Sequence, residues 1–105
     1  MDFSLTEEQL ELRNVTHQFA ANEMRPVAGE YDEKNEFPVE VMKKAFEVGF
    51  LTSVIPVVYG GTGFSNLDNC VVCEELAWGC SGMYTSMMAN TLATTPIVLF
   101  GTDEQ

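Results

Sequence analysis

The chain has 105 residues, 46% of them hydrophobic and 20% charged, with sixteen acids against five bases and a formal charge of -11. That length suits one domain able to bury a core without metals or disulfides. The acidic balance excludes phosphate-backbone binding and disfavours anionic membrane surfaces, because both depend on Lys and Arg.

Thr6 reads as a helix N-cap with Gln9 three positions on, and Glu7 and Glu8 suit the positive end of that helix. Leu12, Val15 and Phe19 then recur at helical spacing and predict one apolar face. Pro26 predicts a break or kink near Arg25, followed by a short helical piece from Val27 to about Asp32. Glu36-Phe37-Pro38 reads as a connector, since the residue before proline avoids the helical region. A second long helix is predicted from Val39, burying Met42, Ala45, Phe46 and Gly49.

Leu51 to Val58 is β-branched and apolar, but Pro56 argues against a central strand, so an extended, half-buried connector is expected. Tyr59 to Ser65 is a glycine-rich turn. A third helix is predicted from about Asn66, with Cys73, Leu76, Ala77 and Cys80 on one stripe, and Gly79 to Gly82 ends it. The last helix, about Met83 to Phe100, carries no charged residue and is expected to lie buried in its own fold or beneath another domain. Gly101 reads as a C-cap, and Thr102-Asp103-Glu104-Gln105 as the start of a further helix, so the expectation is a piece of a longer protein.

No apolar run reaches the roughly 18 residues of a membrane span. Three cysteines behind a start without a basic leader suggest a reducing cytosol. Asn14-Val15-Thr16 matches a glycosylation acceptor, but it lies mid-helix and reads as chance.

Four constellations invite a chemical reading. Cys70-Val71-Val72-Cys73 is a CxxC, yet it lies inside a helix between valines, with no second CxxC and only the distant His17 as a nitrogen ligand; core packing is the simpler account. Glu74 and Glu75 are adjacent on a helix, so their carboxylates diverge and cannot act on one atom; one of them is expected to be partly buried and paired. Gly60-Gly61-Thr62-Gly63 could cradle a phosphate, but no lysine follows, and a turn needing positive φ fits better. Tyr84, Met88 and Leu92 share one helix face, as core or as the lining of an apolar pocket for a flexible chain.

Taken together, Asp2-Phe3-Ser4-Leu5-Thr6-Glu7-Glu8-Gln9, Arg25-Pro26-Val27-Ala28, Phe37-Pro38, Gly49, Ile55-Pro56, Tyr59-Gly60-Gly61-Thr62-Gly63, Glu74-Glu75-Leu76-Ala77 and Gly101-Thr102-Asp103-Glu104-Gln105 resemble the N-terminal helical domain of the flavin-dependent acyl-CoA dehydrogenases, closest to the short- and medium-chain enzymes. The resemblance covers the whole chain. It implies an all-α fold, an orthogonal bundle of about four to five helices over residues 1–105, with the family's β-domain and C-terminal helical domain absent.

It further implies an enzyme in which a glutamate removes the acyl-CoA α-proton while a β-hydride passes to FAD, which electron-transferring flavoprotein reoxidises. The catalytic glutamate and nearly all FAD contacts belong to the absent domains, so Glu74 and Glu75 are not promoted to that role. By the same resemblance Tyr84, Met88 and Leu92 line the deep end of the acyl pocket, where Tyr84 and Met88 replace more polar residues. Leu12, Phe50 and Val72, with Glu23 beside them, form an apolar surface patch for docking the flavoprotein, and Thr62 stands where the medium-chain patch has a leucine. A homotetramer is implied, in the bacterial cytoplasm or the mitochondrial matrix, with no nucleic-acid or membrane partner. A free-standing helical interaction module without catalysis is the alternative reading, and a CxxC metal protein a third.

Overall fold

The computed structural model describes residues 2–105. Five α-helices account for most of it, and there is no strand among the described residues. They are α1 (Glu7–Phe19), α2 (Arg25–Lys34), α3 (Val39–Glu47), α4 (Asn66–Gly79) and α5 (Ser81–Phe100).

The start of α1 is the expected capping box. Thr6 accepts from the Gln9 backbone amide at 3.2 Å, and the Gln9 side chain accepts from the Thr6 amide at 3.1 Å. Ser65 and Asp68 repeat the device at α4, and the Gln9 side-chain amide donates to Asp68 at 3.1 Å, tying the two helix starts together. These bonds, with Ser65 contributing most, hold the Asp68 carboxyl below its ordinary pKa.

Pro26 does not break the helix as its sequence position predicts. The backbone widens instead into a π-turn over Ala20–Met24, where the Arg25 amide donates to the Ala20 carbonyl, and α2 resumes with Pro26 in its first turn. A proline there has no amide to satisfy, and the wider turn relieves its clash with the preceding carbonyls. α1, the π-turn and α2 thus run on as one continuous helical rod.

α1 packs on α4, and α4 on α5, around a core of Ala20, Met24, Val41, Met42, Ala45, Phe50, Val72, Leu76, Met83 and Met87. Two expected core positions are corrected. Val15 is exposed while Thr16 is buried, its hydroxyl donating to the Leu12 carbonyl at 2.7 Å. On α3, Phe46 is 60% exposed and Val41 is buried in its stead.

The stretch after α3 is two 3-10 turns, Phe50–Thr52 and Val57–Tyr59, where an extended connector was expected. Gly49 closes α3 at φ +88, and Gly60 and Gly63 turn the loop at φ +83 and +65. Left-handed backbone of this kind favours glycine.

α5 buries one stripe of its first half and leaves its second half open. Met83 and Met87 are core, whereas Leu92, Ile97, Leu99 and Phe100 are exposed. Pro96 lies within the helix, after Thr91 through Thr95. Thr94 and Thr95 return their hydroxyls to the carbonyls of Asn90 and Thr91, at 2.9 and 2.6 Å. At the chain end, the Thr102 amide donates to the Gln105 side chain at 2.9 Å, half of the capping arrangement read from the sequence.

Candidate functional site

Tyr84 and Met88 stand one turn apart on α5 and are half-buried, both packed against the core cluster. Facing them from α4 is Cys73, whose thiol donates to the Met88 sulfur at 3.8 Å. Thr91 donates to the same sulfur at 4.0 Å. The neighbouring Cys73 side chain, and then burial, raise the Tyr84 pKa above its ordinary value. Leu92 shares the helix face but not the surroundings: it is 77% exposed, beyond the reach of this cluster. The structure therefore joins Tyr84 and Met88 and leaves Leu92 in the open.

The docking residues fall differently. Phe50 is 2% exposed and Val72 1%, both inside the core, and Leu12 is half-buried against that core cluster. An exposed patch of these three side chains is corrected: burial makes Phe50 and Val72 a floor, and Leu12 the part that can be reached. Beside Leu12 a concavity of about 410 Å3 is lined by Thr6, Glu8, Gln9, Phe64, Ser65 and Asp68. Phe64 and Asp68 escaped the sequence reading because their neighbours in this hollow come from α1, more than fifty residues earlier. Glu23 pairs with Lys44 of α3, which raises the Lys44 pKa through that bond.

Glu74 and Glu75 diverge as adjacent helical residues must. Glu74 is exposed, while Glu75 meets His17 Nδ1 at 2.6 Å. One turn on, Trp78 stacks on the His17 ring at 4.1 Å between centroids, and the Arg25 guanidinium lies 4.5 Å from the Trp78 ring centre. The expected partly buried, paired glutamate is present, and its partner is His17 of α1. With Glu75 so engaged, the group clamps α1 to α4.

The glycine turn offers no phosphate cradle. Amides of Gly60, Gly61, Thr62, Gly63 and Phe64 all donate to backbone carbonyls, those of Val57, Pro56, Thr52, Ile55 and Ser53. An anion site needs such amides free. Core packing of the two cysteines is corrected: Cys70 is exposed and Cys73 half-buried, and the buried side chains of the motif are the intervening valines. No group of three His, Cys, Asp or Glu side chains could hold a metal among the described residues.

The fold thus defines an all-α module with an uncharged helix half open to its surroundings. A model of the family described as acyl-CoA dehydrogenase, N-terminal domain, matches residues 6–105. The chain belongs to that family. It is 33% identical over 105 residues to the probable medium-chain specific acyl-CoA dehydrogenase 2, mitochondrial, of Caenorhabditis briggsae, covering 100% of this chain and 26% of that protein. Bovine mitochondrial isobutyryl-CoA dehydrogenase is 40% identical over 101 residues, which are 96% of this chain and 24% of that protein. The 3-(aryl)acrylate reductase of Clostridium sporogenes is likewise 40% identical over 102 residues, at 95% and 27% coverage.

Among solved structures, butyryl-CoA dehydrogenase from Megasphaera elsdenii superimposes with a TM-score of 0.85 at 29% identity, over 99% of this chain and 28% of that one. A chain from the structural work on the electron transferring flavoprotein of Acidaminococcus fermentans superimposes with a TM-score of 0.91 at 33% identity, over 99% and 28%. The chain spans about a quarter of the length of the relatives it matches. No helix is long and apolar enough to cross a membrane among the described residues.

Proposed function

We propose that the chain serves as the N-terminal domain of an FAD-dependent acyl-CoA dehydrogenase that converts acyl-CoA to trans-2-enoyl-CoA. In that role α5 supplies one wall of the acyl pocket through Tyr84, Met88 and Leu92. The observation that carries this reading is a helix without a single charge whose apolar side chains are left half-buried or open by its own domain. A helix of that kind is built to meet something apolar. FAD makes few or no contacts here: the cavity between α2, the connector that follows it and α5 is lined by Asp32 and Glu36, and the loop amides are engaged, so these residues do not fit a pyrophosphate.

The acyl group is short or branched, because Tyr84 stands across the face that Leu92 continues. Relatives named for isobutyryl-CoA and butyryl-CoA support this. In the full-length enzyme, Tyr84→Ala is expected to raise the octanoyl-to-butyryl ratio of kcat/KM about tenfold, the scale of a methylene or two in an apolar pocket. Steady-state assays with a dye acceptor check this, and an unchanged ratio removes Tyr84 from the pocket.

Electron-transferring flavoprotein is the proposed partner, docking at Leu12 over the floor of Phe50 and Val72, with Glu23 nearby. Leu12→Glu is expected to lower the rate with that flavoprotein about tenfold, through loss of one apolar anchor, while leaving the dye-coupled rate unchanged. Equal loss with both acceptors would place Leu12 in the fold alone. The enzyme is a soluble homotetramer in this proposal, cytoplasmic in a bacterium and in the mitochondrial matrix of a eukaryote.

A further inference from the structure

Cys73 was read from the sequence as core packing, but its surroundings are more specific than that. It is half-buried on α4, facing α5, and its thiol donates to the Met88 sulfur at 3.8 Å. Tyr84, one turn before Met88 on α5, is half-buried and packs against the same core. One of the three side chains assigned to the acyl wall is therefore tied to a sulfur atom on the neighbouring helix. Met88 has a second tie, the Thr91 hydroxyl at 4.0 Å.

A wall of methionine and tyrosine has little fixed shape by itself. Methionine has three rotatable bonds and fills whatever space is offered unless its sulfur is held. The Cys73 thiol holds the Met88 sulfur against α4. We propose that Cys73 is the positioning residue that fixes Met88, beside Tyr84, in the end wall of the acyl pocket and so sets the longest chain accepted. This rests on the reading of α5 as a pocket wall.

The test uses the full-length flavoenzyme, with butyryl-, hexanoyl- and octanoyl-CoA and a dye acceptor. Cys73→Ala is expected to raise the octanoyl-to-butyryl ratio of kcat/KM about tenfold, carried by a lower KM for octanoyl-CoA with little change in kcat. Cys73→Ser, which keeps a hydrogen-bonding group of similar size, is expected to hold the ratio within about threefold of wild type. The exposed Cys70→Ser is expected to change nothing. A purely structural cysteine would lower all three substrates alike.

A wild-type ratio in Cys73→Ala overturns the inference, as does Cys73→Ser shifting as far as Cys73→Ala. A full-length protein that oxidises none of the three acyl-CoAs overturns the proposed function and the inference with it. An active wild type with an indifferent Cys73 overturns the inference alone.

Discussion

Replacing Phe50 by alanine is expected to lower the unfolding free energy by about 3–5 kcal/mol and the melting temperature by about 15 °C or more. Phe50 is 2% exposed and belongs to the core with Met42, Ala45 and Val72. Its ring meets that of Phe19 edge-on, with centroids 5.2 Å apart and planes at 81°. Alanine would remove the transfer energy of a full aromatic ring and that contact, and leave a void between the rod of α1 and the loop after α3. Because domains are stable by only about 5–15 kcal/mol, the loss is a large share of the total. Urea unfolding of the wild type and the variant gives the number directly. A loss under about 1 kcal/mol would mean that Phe50 lies at the surface, as an apolar docking residue should.

The same burial decides how docking can be tested. A Phe50→Ala or Val72→Ala enzyme that transfers electrons poorly would report the state of the core, not the contact with a partner. Leu12 differs because it is half-buried and its neighbouring concavity opens outward. The acceptor-dependent comparison at Leu12 therefore separates docking from folding, which no substitution of the floor can do.

What was legible in the sequence was local. The Thr6–Gln9 capping box, the glycine end of α3 and the glycine turn each depend on residues a few positions apart, and the backbone obeys them. Pro26 was local too, but its consequence was not: whether a helix stops or widens at proline depends on packing on either side, and here Ala20 and Met24 are buried. Phase was harder. α3 has apolar residues at Val39, Val41, Met42, Ala45 and Phe46, an arc too wide to say which edge turns inward, and the choice of Val41 over Phe46 is made by the rest of the fold.

The candidate site was legible along α5, where spacing alone puts Tyr84 and Met88 on one face. It was not legible across helices. Cys73 meets Met88 and His17 meets Glu75 at separations of 15 and 58 residues, and nothing local in the chain announces either meeting.

Gly61→Ala is expected to cost about 3 kcal/mol, against about 1 kcal/mol for Gly60→Ala next to it. The two glycines serve different ends. Gly60 is left-handed at φ +83 with open space where a Cβ would go, so alanine there meets only backbone strain. Gly61 needs no positive φ, but a Cβ on it would lie 2.0 Å from the Ile55 carbonyl oxygen and 2.4 Å from the Ile55 Cβ. Neither atom is the end of a flexible side chain, so the backbone itself must move. The Ile55 carbonyl is also the acceptor for the Gly63 amide at 3.0 Å, and the bonds on either side run from Thr62 to Thr52 at 3.1 Å and from Phe64 to Ser53 at 2.8 Å. Displacing Ile55 therefore loosens a ladder that seats Phe64 beside Leu12 and aligns Ser65 to cap α4. Thermal unfolding of both variants orders them. Equal losses would mean that the loop can open at Ile55 without disturbing its neighbours, and that the glycines of this turn act through φ alone.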